Sequence, residues 1–187
     1  MAYVRKKTAK TKSVTYYEID GCKYKSKALL EYHKELQKNN FVTSFSLPEI
    51  SEDKQARNGK YNNYKVIVND IAFDSIMESR FYLRLLEMKT AKQIKEFSMQ
   101  VTYELQPSFK DKISGKTIRA ITYRADFVIT DSDNRVIVVD VKGTETDVFK
   151  IKKKMFQFRY PDIRFMCMRW INKVGDWFEL NEIKKGK

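Results

Sequence analysis

Alternating apolar runs interleaved with helical periodicities predict an α/β protein built on a mixed central sheet flanked by helices, with a small N-terminal ββα unit. Three observations carry that prediction. The stretch YRADFVITDSDNRVIVVDVKG, residues 123–143, carries two apolar runs about a polar turn and reads as a β-hairpin whose second strand ends at Gly143. A helical pattern over 147–160 separates this hairpin from another apolar run, Ile163 to Met168. Such a crossover lays the last strand parallel to the Val136 strand, with right-handed connectivity expected. Finally, a strand–turn–strand–helix order occurs twice in the first half of the chain.

The elements follow in order. Residues 1–12 are a basic arm around Arg5, Lys6 and Lys7. Val14 to Ile19, the turn Asp20-Gly21 and Cys22 to Tyr24 make a hairpin, and a helix begins at Lys27 and ends near Gln37. Its spacing turns Leu29, Leu30, Tyr32 and Leu36 inward and leaves His33 as a solvated position. Residues 48–63 are polar and weakly patterned. The chain therefore divides into the arm and accessory unit at 1–50, a linker at 51–63 and a main domain at 64–187. The second copy runs from Tyr64 to Val68, through the turn Asn69-Asp70 and Ile71 to Ser75, into a helix over 76–88. Setting Tyr24, Ser26, Tyr32 and Leu36 against Phe73, Ser75, Phe81 and Leu85 aligns the copies as a weak internal duplication, with Glu78 where the first has Leu29. Ile94 to Phe97 and Val101 to Pro107 are strands, the second closed by its proline. Lys112 to Gly115 is a turn, and 117–130 reads as one long strand. In the 147–160 helix Val148, Ile151, Met155, Phe156 and Phe158 are apolar, and Ile151 and Met155 mark the buried side. Lys150, Lys152, Lys153 and Lys154 interrupt them, Pro161 ends the helix, and 176–184 add a short tail element.

At 187 residues the chain can bury a core, and its net charge of +13 favours a polyanionic partner. That surplus does not separate nucleic acid from an anionic membrane surface. No apolar run approaches the ~20 residues of a membrane span. The first residues lack a signal-peptide core, so a cytoplasmic protein is expected. One histidine and two dispersed cysteines, Cys22 and Cys167, argue against a histidine nuclease motif, a zinc finger and a disulfide.

Four charged residues compete for one place. Period two puts Asp140 and Lys142 on one face of their strand and Val139 and Val141 on the other. Asp126 sits in the opposite strand. Glu78, in the first turn of its helix with Phe81 and Leu85 on the same side, reaches the same edge if that helix packs across the sheet. Taken singly, each has an ordinary reading: a strand-edge ion pair for Asp140 and Lys142, a solvated helix position for Glu78. Taken together, three carboxylates disfavour joint ionisation unless a cation neutralises them. Hard oxygen donors suit Mg²⁺, with Mn²⁺ as the alternative ion. Asp126, Asp140 and Glu78 would be its ligands, with the Val141 carbonyl as a further one. Lys142 would orient a water or stabilise charge building on phosphorus. Lys150, Lys152, Lys153 and Lys154 read either as a solvated face or as contacts to a phosphate backbone.

The segments EIDGCKYKSKALLEYH, FDSIMESRFYLRLL, ELQPSF, AITYRADFVIT and VVDVKGTETDVFKIKKKMFQFRYPD together resemble a family of small phage-encoded endonucleases. That family lies in the PD-(D/E)XK, or restriction-endonuclease-like, superfamily, and the resemblance covers nearly the whole chain. It implies a restriction-endonuclease-like core and metal-dependent hydrolysis of DNA phosphodiester bonds. Its motif positions fall on Glu78, on Asp126 in YRADF, and on Asp140 and Lys142 in DVKG, with Ala125 in place of the nominal proline. The motif order also resembles phage Holliday-junction resolvases and the nuclease subunits of some transposases. This implies branched DNA in phage recombination or replication as a substrate, the host cytoplasm as location, and a phage or host replication or recombination protein as partner. A C₂ homodimer would suit a symmetric junction. The alternative is a non-catalytic nucleic-acid-binding module that retains the fold; an RNA-processing nuclease and a structural protein rank below it.

Overall fold

The computed structural model describes residues 27–46, 64–142 and 145–180 in full, and the backbone of 5–8, 15–19 and 22–24. The expected linker at 51–63, the turn Asp20-Gly21, Gly143 and residues 181–184 of the tail lie outside the described residues. So do residues 1–4 and 9–12 of the arm and the side chain of Cys22. The chain divides into two compact units, Met1–Leu83 and Arg84–Lys187.

In the first unit, β1 (Arg5–Thr8), β2 (Thr15–Ile19) and β3 (Cys22–Tyr24) form an antiparallel sheet in that order, followed by α1 (Lys27–Leu36). The helix buries Leu29, Leu30, Tyr32 and Leu36, the stripe its spacing predicts. A second antiparallel sheet of β4 (Phe45–Ser46), β5 (Val66–Val68) and β6 (Ile71–Phe73) precedes α2 (Ile76–Thr90), whose residues from Arg84 on are counted in the second unit. Asn69 and Asp70 both take positive φ, 51° and 61°, as a two-residue type I′ hairpin turn demands. The ββα order is therefore present twice, and the aligned pairs Tyr32/Phe81 and Leu36/Leu85 are buried in both helices. Tyr32 donates to Ser79 Oγ at 2.8 Å, and Ser79 donates to the Ile76 carbonyl at 3.0 Å. Burial pushes the Tyr32 hydroxyl above the usual phenol range, so it remains a donor. His33 departs from the expected solvated position: it is half-buried, its ring 5.1 Å from that of Phe45, which β4 carries to it.

The second unit holds a five-stranded mixed sheet. Its elements in chain order are β7 (Ile94–Met99), β8 (Thr102–Gln106), β9 (Phe109–Lys110), β10 (Thr117–Ile118), β11 (Ile121–Arg124), β12 (Phe127–Asp131), β13 (Val136–Val141), α3 (Asp147–Arg159), β14 (Arg164–Ile171) and β15 (Asp176–Glu179). The spatial order of the main sheet is β15-β14-β13-β12-β7. Only β13 and β14 run parallel, joined through α3 as the crossover pattern requires. Strands β8 and β11 pair separately, as do β9 and β10.

The single strand expected over 117–130 is thus three. Phe127 pairs with Met99 in the main sheet, and Arg124 pairs with Thr102 in the two-stranded one, in a continuous register. Between them the Ala125 N–H donates to the Val101 carbonyl at 2.8 Å and the Gln100 N–H to the Asp126 carbonyl at 3.1 Å. The ribbon is continuous but bent. The bend needs Gln100 at φ 58°, a left-handed conformation no alternation pattern reports.

Helix α3 is capped by Thr146, whose hydroxyl accepts from the Phe149 N–H at 3.2 Å, and it ends where the Tyr160 N–H reaches the Phe156 carbonyl, just before Pro161. Its buried side is only partly the one expected: Phe156 is buried and Met155 packs against the core, but Ile151 is not covered. Phe149 and Phe156 point inward, at 6.1 and 5.2 Å from the Phe165 ring, while Val148, Ile151 and Phe158 are exposed. Tyr103 and Tyr123 complete an aromatic cluster around Phe156, at 5.0 and 5.8 Å. Two phenylalanines two turns apart remove more apolar area from water than the aliphatic stripe beside them. Among the described residues no helix is long and apolar enough to cross a membrane.

Candidate functional site

Where β12 and β13 begin to part, the polar residues of the hairpin meet. The last described pair toward this end is Phe127 with Val139, so the N–H of Val141 lies beyond the β12 ladder. The Asp126 side chain takes the missing strand's place: its Oδ2 accepts from that N–H at 2.8 Å. Asp126 therefore sits at the bend rather than within a strand, half-buried, its carboxylate fixed across the end of the hairpin.

Asp140 is only 1 % exposed. It shares a face with Lys142, whose Nζ is 3.1 Å from Asp140 Oδ2 and 5.5 Å from the centroid of the Phe149 ring. The Lys142 N–H donates to the Met168 carbonyl at 3.0 Å, extending the parallel ladder and fixing the lysine's backbone. On the other carboxylate oxygen, Oδ1, Asp140 accepts from the Tyr123 hydroxyl at 2.6 Å. Burial first, and then the charge of Asp140, push that hydroxyl far above the usual phenol range, so it stays a donor. Oδ2 is different. The Lys142 ammonium is close enough for an ion pair but out of line for a hydrogen bond, and Oδ2 is the one fully buried side-chain oxygen or nitrogen among the described residues without a hydrogen-bond partner. Its charge is countered while its acceptor capacity is unused, a costly arrangement in a buried site.

Behind Asp140 stands Cys167, its register partner on β14. The thiol is buried and pushed up to about 11, chiefly by burial. Lys153 Nζ approaches it to 3.3 Å and lies 5.6 Å from the Phe165 ring centroid. Lys152 likewise turns back, donating to the Thr122 carbonyl at 2.8 Å. Lys150 pairs with Asp147 at 3.1 Å at the surface, and Lys154 is exposed. The four lysines thus divide into two that reach toward the sheet and two that face solvent.

Glu78 belongs to the first unit. The Ser75 hydroxyl accepts from its N–H at 3.2 Å and donates to its Oε1 at 2.8 Å, so one hydroxyl holds both the backbone and the carboxylate of Glu78 at the start of α2. Among the described residues no three His, Cys, Asp or Glu side chains gather as a ready-made metal cage. The second unit brings together Asp126, Asp140, Val141 and Lys142, and adds Tyr123, which pattern reasoning passed over. Tyr123 lies within the quoted hairpin stretch, but its partner depends on the bend at Asp126.

The part of the chain that carries this site is also the part with relatives. None of the curated proteins compared with the chain matches it. Residues 58–177, more than half of the chain, match the family described as "Protein of unknown function (DUF1064)", and the chain belongs to that family.

Proposed function

We propose that this protein is a divalent-metal-dependent DNA endonuclease of the PD-(D/E)XK type, with a restriction-endonuclease-like core in its second unit. The observation that carries the reading is Asp140 Oδ2: a buried carboxylate oxygen with no hydrogen bond, next to a lysine and one residue from the N–H that anchors a second carboxylate. A structural ion pair gains nothing from leaving that oxygen unsatisfied, whereas a hard cation such as Mg²⁺ or Mn²⁺ uses it. Asp140 and Asp126 would hold the ion, with the Val141 carbonyl as a further ligand. When bound, it would polarise a phosphate and make a coordinated water more acidic.

The chain's own residues supply the rest. Lys142, its side chain a third exposed, is fixed by its backbone bond to β14 and by the Asp140 carboxylate, and would stabilise negative charge building on the attacked phosphate. Exposed Lys150 and Lys154, within a chain of net charge +13, would attract the phosphate backbone without reading bases. Branched DNA is the proposed preferred substrate, and a C₂ homodimer the proposed state on a symmetric junction.

The test is a panel of duplex, flap, single-stranded and four-way-junction DNAs incubated with the full chain, with and without Mg²⁺ or Mn²⁺. Cleavage that requires the ion and disappears in folded Asp140→Asn is the expected result. Binding without cleavage under every condition would instead assign the chain to the non-catalytic nucleic-acid-binding modules.

A further inference from the structure

A carboxylate that holds an ion must offer it a particular oxygen, and something must decide which. At Asp140 that decision is visible. Oδ1 is engaged at 2.6 Å by Tyr123, whereas Oδ2 is left without a hydrogen bond on the side of Lys142. We propose that Tyr123 is a positioning residue for this site: its hydroxyl locks the Asp140 carboxylate so that Oδ2 is the oxygen presented to a divalent cation. This rests on the endonuclease reading above and adds to it a residue outside the motif positions.

Two features suit Tyr123 to the task. Its ring is held rigidly, 4 % exposed, at 5.8 Å from the Phe156 ring and 5.3 Å from that of Phe165, so the hydroxyl has little freedom to follow a rotating carboxylate. Its backbone belongs to β11, on the far side of the bend from Asp126, so one turn of chain places both the second carboxylate and the clamp on the first. A phenol acting on a carboxylate oxygen is the outer partner that orients a metal ligand, and removing such a partner costs about 10–100-fold in metal affinity.

The experiment measures Mn²⁺ binding to the full chain without DNA, by calorimetry and by the Mn²⁺ spin-resonance signal, for the parent, Tyr123→Phe and Cys167→Ala. Tyr123→Phe keeps the ring and its aromatic contacts and deletes only the hydroxyl; near-ultraviolet circular dichroism checks that the cluster is intact. Cys167→Ala disturbs packing beside Asp140 without touching that hydrogen bond. Expected are binding by the parent, weakening of about 10–100-fold in Tyr123→Phe, and little change in Cys167→Ala. In cleavage assays the loss should appear as a higher metal requirement, with the rate at saturating metal largely kept. Unchanged affinity in Tyr123→Phe, or equal weakening in both variants, overturns the positioning role and leaves the endonuclease reading standing. No Mn²⁺ binding by the parent removes that reading itself, and this proposal with it.

Discussion

Asp140 at the end of β13 is 1 % exposed, while Phe158 on α3, the next described element, is 90 % exposed. One hides a charge and the other displays a ring, each against the general preference of its type. The strand can bury its aspartate because a phenol and an ammonium meet the two carboxylate oxygens. The helix can leave Phe158 outside because Phe149 and Phe156 already fill the aromatic cluster. Polarity proposes a location; the partners available there dispose of it.

The largest effect should come from the strand. If the buried charge is kept for chemistry, Lys142→Ala should lower ion-dependent cleavage by about 10²–10³-fold, and Asp140→Asn at least as much, with both proteins folded. Thermal unfolding and cleavage measured on the same preparations decide it. A folded Asp140→Asn protein that cuts like the parent would falsify the assignment.

The helix offers the matching pair. Phe156→Ala empties the centre of the cluster and should cost about 3–5 kcal/mol in urea-induced unfolding. Removing the exposed ring with Phe158→Ser should shift the same measurement by no more than about 0.5 kcal/mol. Equal losses would mean that the two apolar stripes of α3 are not divided as described.

Between these extremes lies Cys167, next to the buried charge. Its thiol is pushed up to about 11 in the folded protein, whereas a cysteine of the unfolded chain ionises at about 8.5. The folded state therefore holds the proton more tightly, and the stability this contributes is present below the unfolded value and lost as pH rises through the folded one. The slope is at most about 1.4 kcal/mol per pH unit. Urea midpoints followed upward from neutral pH should fall less steeply in Cys167→Ala than in the parent. Tyr123 and Tyr32, also raised by burial, act with the same sign at higher pH, so part of the alkaline loss should persist in the variant.

Much of this was legible in the letters. Asp140 and Lys142 share a face because strand side chains alternate whatever the strand packs against. Asn69-Asp70 announces a turn because both residues tolerate positive φ, and the α1 stripe was legible because Leu29, Tyr32 and Leu36 recur at helical spacing. These are local stereochemical facts. What tertiary structure alone decided involves choices among partners distant in sequence. The ribbon bends at Asp126 because Gln100, on the neighbouring chain segment, turns left-handed with it and Val141 offers an N–H to its carboxylate. α3 turns Phe149 and Phe156 inward because Phe165, Tyr103 and Tyr123 wait there, and a helix with two apolar stripes cannot say which will be covered. Tyr123 finds Asp140 only once that bend exists, since a hydroxyl's partner is set by where the fold carries it and not by its own sequence neighbours.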